Sequence, residues 1–406
     1  MEGCIMLIVM KFGGSSLASA AHIRRAAELI ADQRKNGDQV AVVVSAQGDT
    51  TDELITKAKE ITETPPGRER DMLLSCGEQM SMALMAMQLE ALGCPAVSFC
   101  GWQAGICTEA RHGDARILNV EPHRVKQALE AGKVAVVAGF QGVDENGEIT
   151  TIGRGGSDTT AVALASALGA DVCRIYTDVK GVYSADPRVV DRAMVHREIS
   201  YDEMLEMAAL GAQVLHCRAV ELAREHRVKV EVRSTFDPAF CGTALGVEST
   251  HPHPVRGLAC DEQVAMVTVL GLDSGKETCR LFTLLADSGV SIDVIIRSPG
   301  TPKSRGVVSF SVSEDDREKV GSVLKSSQRE LGFSGFLIQN GMAKVSAVGA
   351  GMSDGCGVAA NMLRALQEGS IEPQYITTGE LRISVILPRE QAKDAVRLLH
   401  KAFFGC

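Results

Sequence analysis

Apolar runs that stop abruptly at glycine- and serine-rich loops, each followed by a helical segment, dominate the first half of the chain. Ile5–Met10, Val40–Val44 and Val134–Ala138 are uninterrupted apolar stretches of strand length, and Val172–Tyr176 is a strand-length run broken only by Arg174, the pattern of strands buried on both faces. Between and after them, helix-like segments run from Ala18 to about Asn36, Arg70 to Leu92, Pro122 to Ala131, Thr159 to Leu168, Tyr201 to Leu210 and Gln213 to His226. Alternation of this kind implies an α/β fold, a mostly parallel sheet sandwiched by helices. Such sheets bind ligands where the strands' C-terminal ends feed polar loops. At 406 residues the chain exceeds one ordinary core, so two or three domains are expected.

The loops carry the chemistry. Ile5–Met10 runs into Lys11-Phe12-Gly13-Gly14-Ser15-Ser16, where a strand, a Gly-Gly turn with an adjacent cation, and a helix form a phosphate-binding corner. No G-x-x-x-x-G-K-[ST] is present, and a plain βα turn with a solvated lysine is the alternative. A second strand ends in Ser45 through Thr51. A hairpin over Phe140–Thr151, turning at Glu145-Asn146-Gly147, delivers the chain to Gly153-Arg154-Gly155-Gly156-Ser157-Asp158. There Ser157 or Asp158 can cap a helix, its N-terminus favours an anion, and Arg154 offers a planar fork for a carboxylate or phosphate. A tight strand-to-helix turn with an ordinary cap fits the same residues. The loop Thr177–Arg188 combines Asp178, Asp186, Lys180, Arg188 and Tyr183, a mixture suited to a polyphosphate with a ring attached. Glu78 lies amid small and apolar neighbours and needs a partner, whereas Met80, Met82, Met85 and Met87 around it read as core filling.

The formal charge of −9 and the scarcity of aromatics, one Trp and four Tyr, exclude nucleic acid as a main partner. Met1–Met10 has no basic n-region and too short an apolar run for a signal sequence, so it reads as a first strand, with the start open between Met1 and Met6. No stretch is long enough to span a bilayer. Twelve cysteines without C-x-x-C and nine histidines without H-E-x-x-H give no protein ligand set for a metal. The cysteines fit small buried residues of a reducing cytoplasm.

A Pro- and Gly-bearing passage from Asp237 to Gly257 reads as a linker. Beyond it the chain repeats itself: Ala265-Met266-Val267-Thr268-Val269-Leu270-Gly271 is echoed by Ala343-Lys344-Val345-Ser346-Ala347-Val348-Gly349. Each copy continues with a helix, two β-like runs and a second helix, the split-βαβ ferredoxin-like plan.

Taken in order, these motifs resemble bacterial aspartate kinases, members of the amino-acid kinase family with two C-terminal ACT domains. The resemblance covers essentially the whole chain. It implies a catalytic domain over 1–247 and two βαββαβ ACT domains over 262–340 and 341–406, the second open to intertwining with the first. It implies transfer of the ATP γ-phosphoryl group to the β-carboxylate of L-aspartate, with Mg²⁺ held by the ATP phosphates. Lys11 and Asp158 would be catalytic. Ser45, Thr51, Glu78, Arg154, Gly155, Gly156 and Ser157 would form the aspartate pocket. Lys11, Phe12, Gly13, Gly14, Thr177, Asp178, Tyr183, Ser184, Ala185, Asp186, Pro187, Arg188 and Gln213 would hold the nucleotide. Gln213 stands where the family commonly has a lysine, so ATP binding should be weaker unless Lys180 or Arg218 substitutes. The turns Asp273-Ser274-Gly275-Lys276 and Ser353-Asp354-Gly355-Cys356-Gly357 depart from the family's usual Pro-Gly form. Effector amino acids, lysine or threonine, would contact Asp273, Ser291, Asp293, Asn361 and Thr378. The assembly would be a homo-oligomer or an α2β2 complex formed through the ACT domains. Two rivals remain at this stage. One is a related kinase acting on glutamate, N-acetylglutamate or carbamate. The other is an inactive amino-acid sensor.

Overall fold

The first strand, β1 (Leu7–Phe12), is sheathed so completely that Ile8, Val9 and Met10 have no exposed surface. That follows from its place near the middle of a sheet with helices on both faces. The computed structural model describes residues 5–212, 214–246, 254–272, 274–300, 305–352 and 357–405. They form two compact units.

In the first unit, α1 (Ala20–Lys35) starts at Ser19, whose side chain accepts from His22 N. There follow β2 (Gln39–Val44), α2 (Thr50–Ile61), α3 (Gly67–Ala91), β3 (Ala96–Phe99), β4 (Ile106–Thr108), β5 (Ile117–Val120) and α4 (His123–Glu130). Then come β6 (Val134–Ala138), the hairpin β7 (Gln141–Val143) and β8 (Ile149–Thr151), α5 (Gly156–Leu168) and β9 (Val172–Thr177). The unit closes with β10 (Glu198–Ser200), α6 (Tyr201–Ala209), α7 (Cys217–Glu225), β11 (Val230–Ser234) and β12 (Thr243–Gly246). The main sheet has the order β10-β12-β11-β9-β1-β2-β6-β3, and every pair in it is parallel except β11–β12. A separate sheet, β5-β4-β7-β8, carries the hairpin that precedes Arg154. The expected linker is thus partly a strand: β12 returns along β11, pairing Val230 with Leu245.

The second unit takes in Ser184–Ala193 and Leu210–Ala212 as well as the C-terminal part of the chain. Its elements are β13 (Gly257–Leu270), α8 (Gly275–Asp287), β14 (Ile292–Ser298), β15 (Val307–Ser313), α9 (Arg317–Leu331), β16 (Gly335–Val348), α10 (Val358–Glu368), β17 (Tyr375–Thr378), β18 (Arg382–Pro388) and α11 (Ala392–Phe404). They build one six-stranded sheet, β14-β15-β13-β16-β18-β17. Two fourteen-residue strands lie antiparallel at its centre. Met266–Leu270 of β13 pair with Gln339–Gly335 of β16, while Gly257–Asp261 pair with Val348–Lys344. The first repeat therefore closes with the front half of β16. The second takes its fourth strand from Gly257–Asp261, ahead of the first repeat. The two ferredoxin-like repeats are intertwined through this exchange, and two adjoining cores result, around Leu281, Phe310 and Leu324 and around Met362, Leu366 and Leu399.

Candidate active site

Loops leave the C-terminal ends of neighbouring parallel strands and are joined by backbone hydrogen bonds. Gly13 N donates to Tyr176 O (3.3 Å), Ser45 N to Phe12 O (3.1 Å), Gly48 N to Gly14 O (3.1 Å) and Gly139 N to Val44 O (3.0 Å). A Cβ on Gly14 would stand 2.9 Å from Ala46 O, so the loop after β1 can approach the loop after β2 only as glycine. Ser16 and Thr235 hydroxyls, 2.7 Å apart and buried, tie this corner to the end of β11.

Lys11 is the penultimate residue of β1, and its Nζ stands 2.6 Å from Asp158 Oδ1 with both side chains almost buried. Asp158 lies in the first turn of α5, where a carboxylate is favoured by unsatisfied N–H groups. The helix begins two positions earlier than a Ser157 cap requires. Gly155, left-handed at φ 67°, occupies the N-cap without any side-chain cap bond. Neither Ser157 nor Asp158 is needed as a cap, so both side chains are available to the site. Gly139 permits this placement, because a Cβ there would come within 2.7 Å of Ser157 Oγ.

Glu78 is buried on α3. Its Oε1 accepts from Ala46 N at 3.0 Å, and its Oε2, equally buried, has no hydrogen-bond partner. Burial pushes its carboxyl up to about 7, against the opposing Ala46 N–H. Gly77 sets the approach, since a Cβ there would lie 2.8 Å from Ala46 Cβ. Ser45 follows the end of β2 and Thr51 lies in the first turn of α2, both half-buried.

Arg154 is exposed between Gly153 (φ 83°) and Gly155 and makes no hydrogen bond or ion pair among the described residues. The ground beneath it is densely bonded. Asp71 of α3, fully buried, accepts from Gly113 N (2.8 Å), Thr151 N (2.8 Å) and Thr151 Oγ1 (3.0 Å). Arg218 of α7 donates to Ile152 O (3.0 Å) and to Asp114 Oδ2 (2.9 Å). That commitment removes Arg218 as a substitute for a nucleotide-site lysine, and Lys180 is paired with Asp237 at 2.9 Å. His216 packs on Gly155, where a Cβ would fall 2.2 Å from the His216 Cβ. Desolvation lowers the His216 pKa.

Among the residues expected to hold the nucleotide, Thr177 Oγ1 donates to Asp178 Oδ1 (2.9 Å), which also faces Ser15 Oγ (3.4 Å). The Phe12 ring is core, stacked on Tyr176 at 4.8 Å, so only its backbone borders the loop. Tyr183 makes a bridge with Val195. From Ser184 onward the segment packs within the second unit. Ser184 Oγ and His400 Nε2 are 2.9 Å apart and buried, Ala185 joins the core around Leu399, and Arg188 Nη2 pairs with Asp186 at 2.8 Å. Pro187 is exposed. Gln213 lies outside the described residues.

Of the effector candidates, Asp273 also lies outside them. Asp293 is ion-paired with the buried Lys344 and stands 3.6 Å from Arg382, so it is already engaged. Asn361 Oδ1 accepts from Arg364 (3.3 Å), and Ser291 and Thr378 are exposed. Ser274 is taken up by a capping box with Glu277 at the start of α8.

Phe140, Asp71, Asp114 and His216 escaped the sequence reading. Phe140 holds φ 66°, rare for a bulky residue and typical of functional turns. Its N donates to Thr160 Oγ1 and its O accepts from Ile152 N. Nothing in the sequence signals that. Asp71 could have been found, because seven residues before Glu78 places it on the same helix face. No group of three or more metal-ligating side chains occurs among the described residues.

Against known proteins, the model of the amino acid kinase family matches residues 6–234 and that of an ACT domain matches 345–403. The chain is 48% identical over 400 residues to an aspartokinase of Bacillus sp. (strain MGA3), covering 98% of this chain and 97% of that protein. The crystal structure of E. coli aspartokinase III with aspartate and ADP, in the R-state, superposes with a TM-score of 0.84 at 26% identity, covering 98% of this chain and all of that one. The T-state of the same E. coli enzyme, with lysine and aspartate, gives 0.75 at 27% identity, covering 98% and 99%.

Proposed function

The chain belongs to the aspartokinases of the amino acid kinase family, and we propose that Lys11, Asp158, Glu78 and Arg154 divide its reaction between them. The enzyme transfers the γ-phosphoryl group of ATP to the β-carboxylate of L-aspartate. The acceptor is already an anion at neutral pH, so no general base is required. What the site must supply is alignment and relief of repulsion between two anions.

Arg154 takes the α-carboxylate of aspartate as a bidentate pair, and Glu78 Oε2 accepts from its α-ammonium. Ser45, Thr51, Ser157 and the backbone at Gly155 and Gly156 complete the pocket. Lys11, oriented by Asp158, faces the transferring phosphoryl group, and the N–H groups of Gly13 and Gly14 meet phosphate oxygens. Thr177, Asp178 and Tyr183 border the nucleotide. The side chains of Ser184, Ala185, Asp186 and Arg188 are turned to partners within the second unit. The observation that carries this reading is the electrostatic contrast: Lys11 is paired, while Arg154 and Glu78 Oε2 have no partner. A free amino acid supplies both missing partners.

Mg²⁺ would enter this site carried by the nucleotide's phosphates, as phosphoryl transfer from ATP calls for. Bound there, it would neutralise phosphate charge. The ACT repeats serve feedback control, with lysine as the first effector to test, given the lysine-bound E. coli relative. Assembly through these repeats, as a homo-oligomer or with an ACT-only partner, remains part of the proposal. No described helix is long and apolar enough to cross a membrane. Free cysteines, among them Cys94, Cys100 and Cys173, support work in a reducing cytoplasm. ADP release should depend on L-aspartate in the presence of Mg-ATP and not on glutamate, N-acetylglutamate or carbamate. Release with one of those acceptors and none with aspartate would overturn the reading.

A further inference from the structure

We infer that the Asp114–Arg218 pair is a positioning device that holds Arg154 in its aspartate-binding pose. This deepens the proposed role of Arg154 and rests on it. The turn Gly153-Arg154-Gly155 has two left-handed glycines, which leave its backbone easy to reshape, although Gly156 N closes it on Gly153 O at 3.0 Å. Further support for the pose of Arg154 comes from what surrounds the turn.

Contacts close on it from several sides. A Cβ on Gly153 would stand 2.6 Å from Asp114 Oδ1, so the Asp114 carboxylate lies directly against the turn. Arg218 holds that carboxylate through both Nη atoms, Nη1 to Oδ1 at 2.7 Å and Nη2 to Oδ2 at 2.9 Å. The same guanidinium donates to Ile152 O at 3.0 Å, the residue immediately before the turn. One planar cation thus fixes the entry strand and the loop that abuts Gly153 in a single geometry, which a lysine could not reproduce. Asp71 anchors the neighbouring Gly113 of that loop to Thr151. On the far side His216, two residues before Arg218, packs against Gly155. Arg154 itself projects from this bracket with no partner. A binding cation on a flexible turn would lose affinity to ordering on each turnover. The bracket supplies that order in advance, without touching the substrate.

The test is steady-state kinetics of Arg218→Met, Arg218→Lys and Asp114→Asn with Arg154→Ala in parallel. Arg218→Met should raise the aspartate KM about tenfold, as for a displaced clamp, with the ATP KM changed less than about twofold. Arg218→Lys should fall between, and Asp114→Asn should resemble Arg218→Met. The double variant Asp114→Asn/Arg218→Met should be no worse than the poorer single one, as for residues acting as a unit. A merely structural pair would lower thermal stability and the active fraction, hence apparent kcat, while leaving the aspartate KM alone. That result would overturn the inference. If Arg218→Met fails to fold, the milder Asp114→Asn carries the same KM test. Should Arg154→Ala raise the aspartate KM while Arg218→Met and Asp114→Asn do not, only the bracket fails. Should Arg154→Ala itself leave that KM unchanged, the reading of the pocket fails and the bracket with it.

Discussion

Two glycine-rich corners of the first unit carry one cation each, and they end in opposite electrostatic states. At Gly13-Gly14 the cation belongs to a buried strand, and Lys11 is matched at 2.6 Å by Asp158. At Gly153–Gly155 the cation is on an exposed turn, and Arg154 has no partner while its supports are bonded to one another. A cation already paired in the free protein is set up to act on charge that moves during reaction, because its geometry is fixed beforehand. An unpaired cation on a braced turn is set up to receive a counter-ion, and it contributes mainly to binding. In the proposed division of labour the same local motif, glycine beside a basic residue, serves two purposes according to what the fold packs against it.

This contrast can be broken at either corner. The largest effect is expected at the first. Lys11→Ala should lower kcat at least ~100-fold, the lower end of what a preorganised donor contributes, and near-normal turnover by the purified variant would remove Lys11 from the chemistry. The next effect is at Glu78, whose carboxyl titrates at about 7 and must be ionised to accept from an ammonium. The aspartate KM should fall about tenfold between pH 6 and pH 8 as that carboxyl ionises, and Glu78→Gln should flatten the profile while raising the KM at pH 8. A pH-independent KM in the wild type would contradict the assignment. The sign for stability is the opposite. A carboxyl whose folded pKa exceeds its unfolded value of 4.5 contributes stability below the unfolded pKa and loses it as pH rises through the folded one. Glu78→Gln should therefore be more stable than wild type at pH 8, by roughly 1–3 kcal/mol, measured as a shift in denaturation midpoint. Unchanged or lower stability at pH 8 would argue against the strained carboxylate. The smallest effect is expected for Gln213→Lys, where a restored cation near the nucleotide should lower the ATP KM by about two- to fivefold. An unchanged or raised ATP KM would show that the position does not limit nucleotide binding.

The alternation of strands and helices, the loops at the strand ends and the C-terminal repeat were all readable from the sequence, because each rests on local periodicity or on glycine punctuation. Val134–Ala138 comes out at the expected residues. What local pattern could not show was pairing at a distance. The short strands β4, β5 and β12 have too few residues for periodicity to declare them, although the Asn146-Gly147 turn announced the β7–β8 hairpin beside β4. The exchange between β13 and β16 depends on which half of each long strand meets which, a tertiary choice. Lys11, Glu78, Arg154 and Asp158 were named from motifs, and the first and last of these do meet. The support they receive was not legible, Arg218 being named only as a possible nucleotide cation, because Asp114 and Arg218 are 104 positions apart and neither belongs to a recognisable motif. Ser184 shows the converse. It stands in a motif-rich loop, yet its hydroxyl is buried against His400 in the second unit.

The division of labour between the two corners is tested most directly by measuring both Michaelis constants of Arg154→Ala at saturating co-substrate. Loss of a charged, bidentate contact is worth about 1.5–3 kcal/mol. The aspartate KM should accordingly rise by roughly 10- to 150-fold, with the ATP KM within about twofold of wild type. An ATP KM that rises more than the aspartate KM would reverse the assignment and make the Gly153–Gly155 turn the phosphate corner.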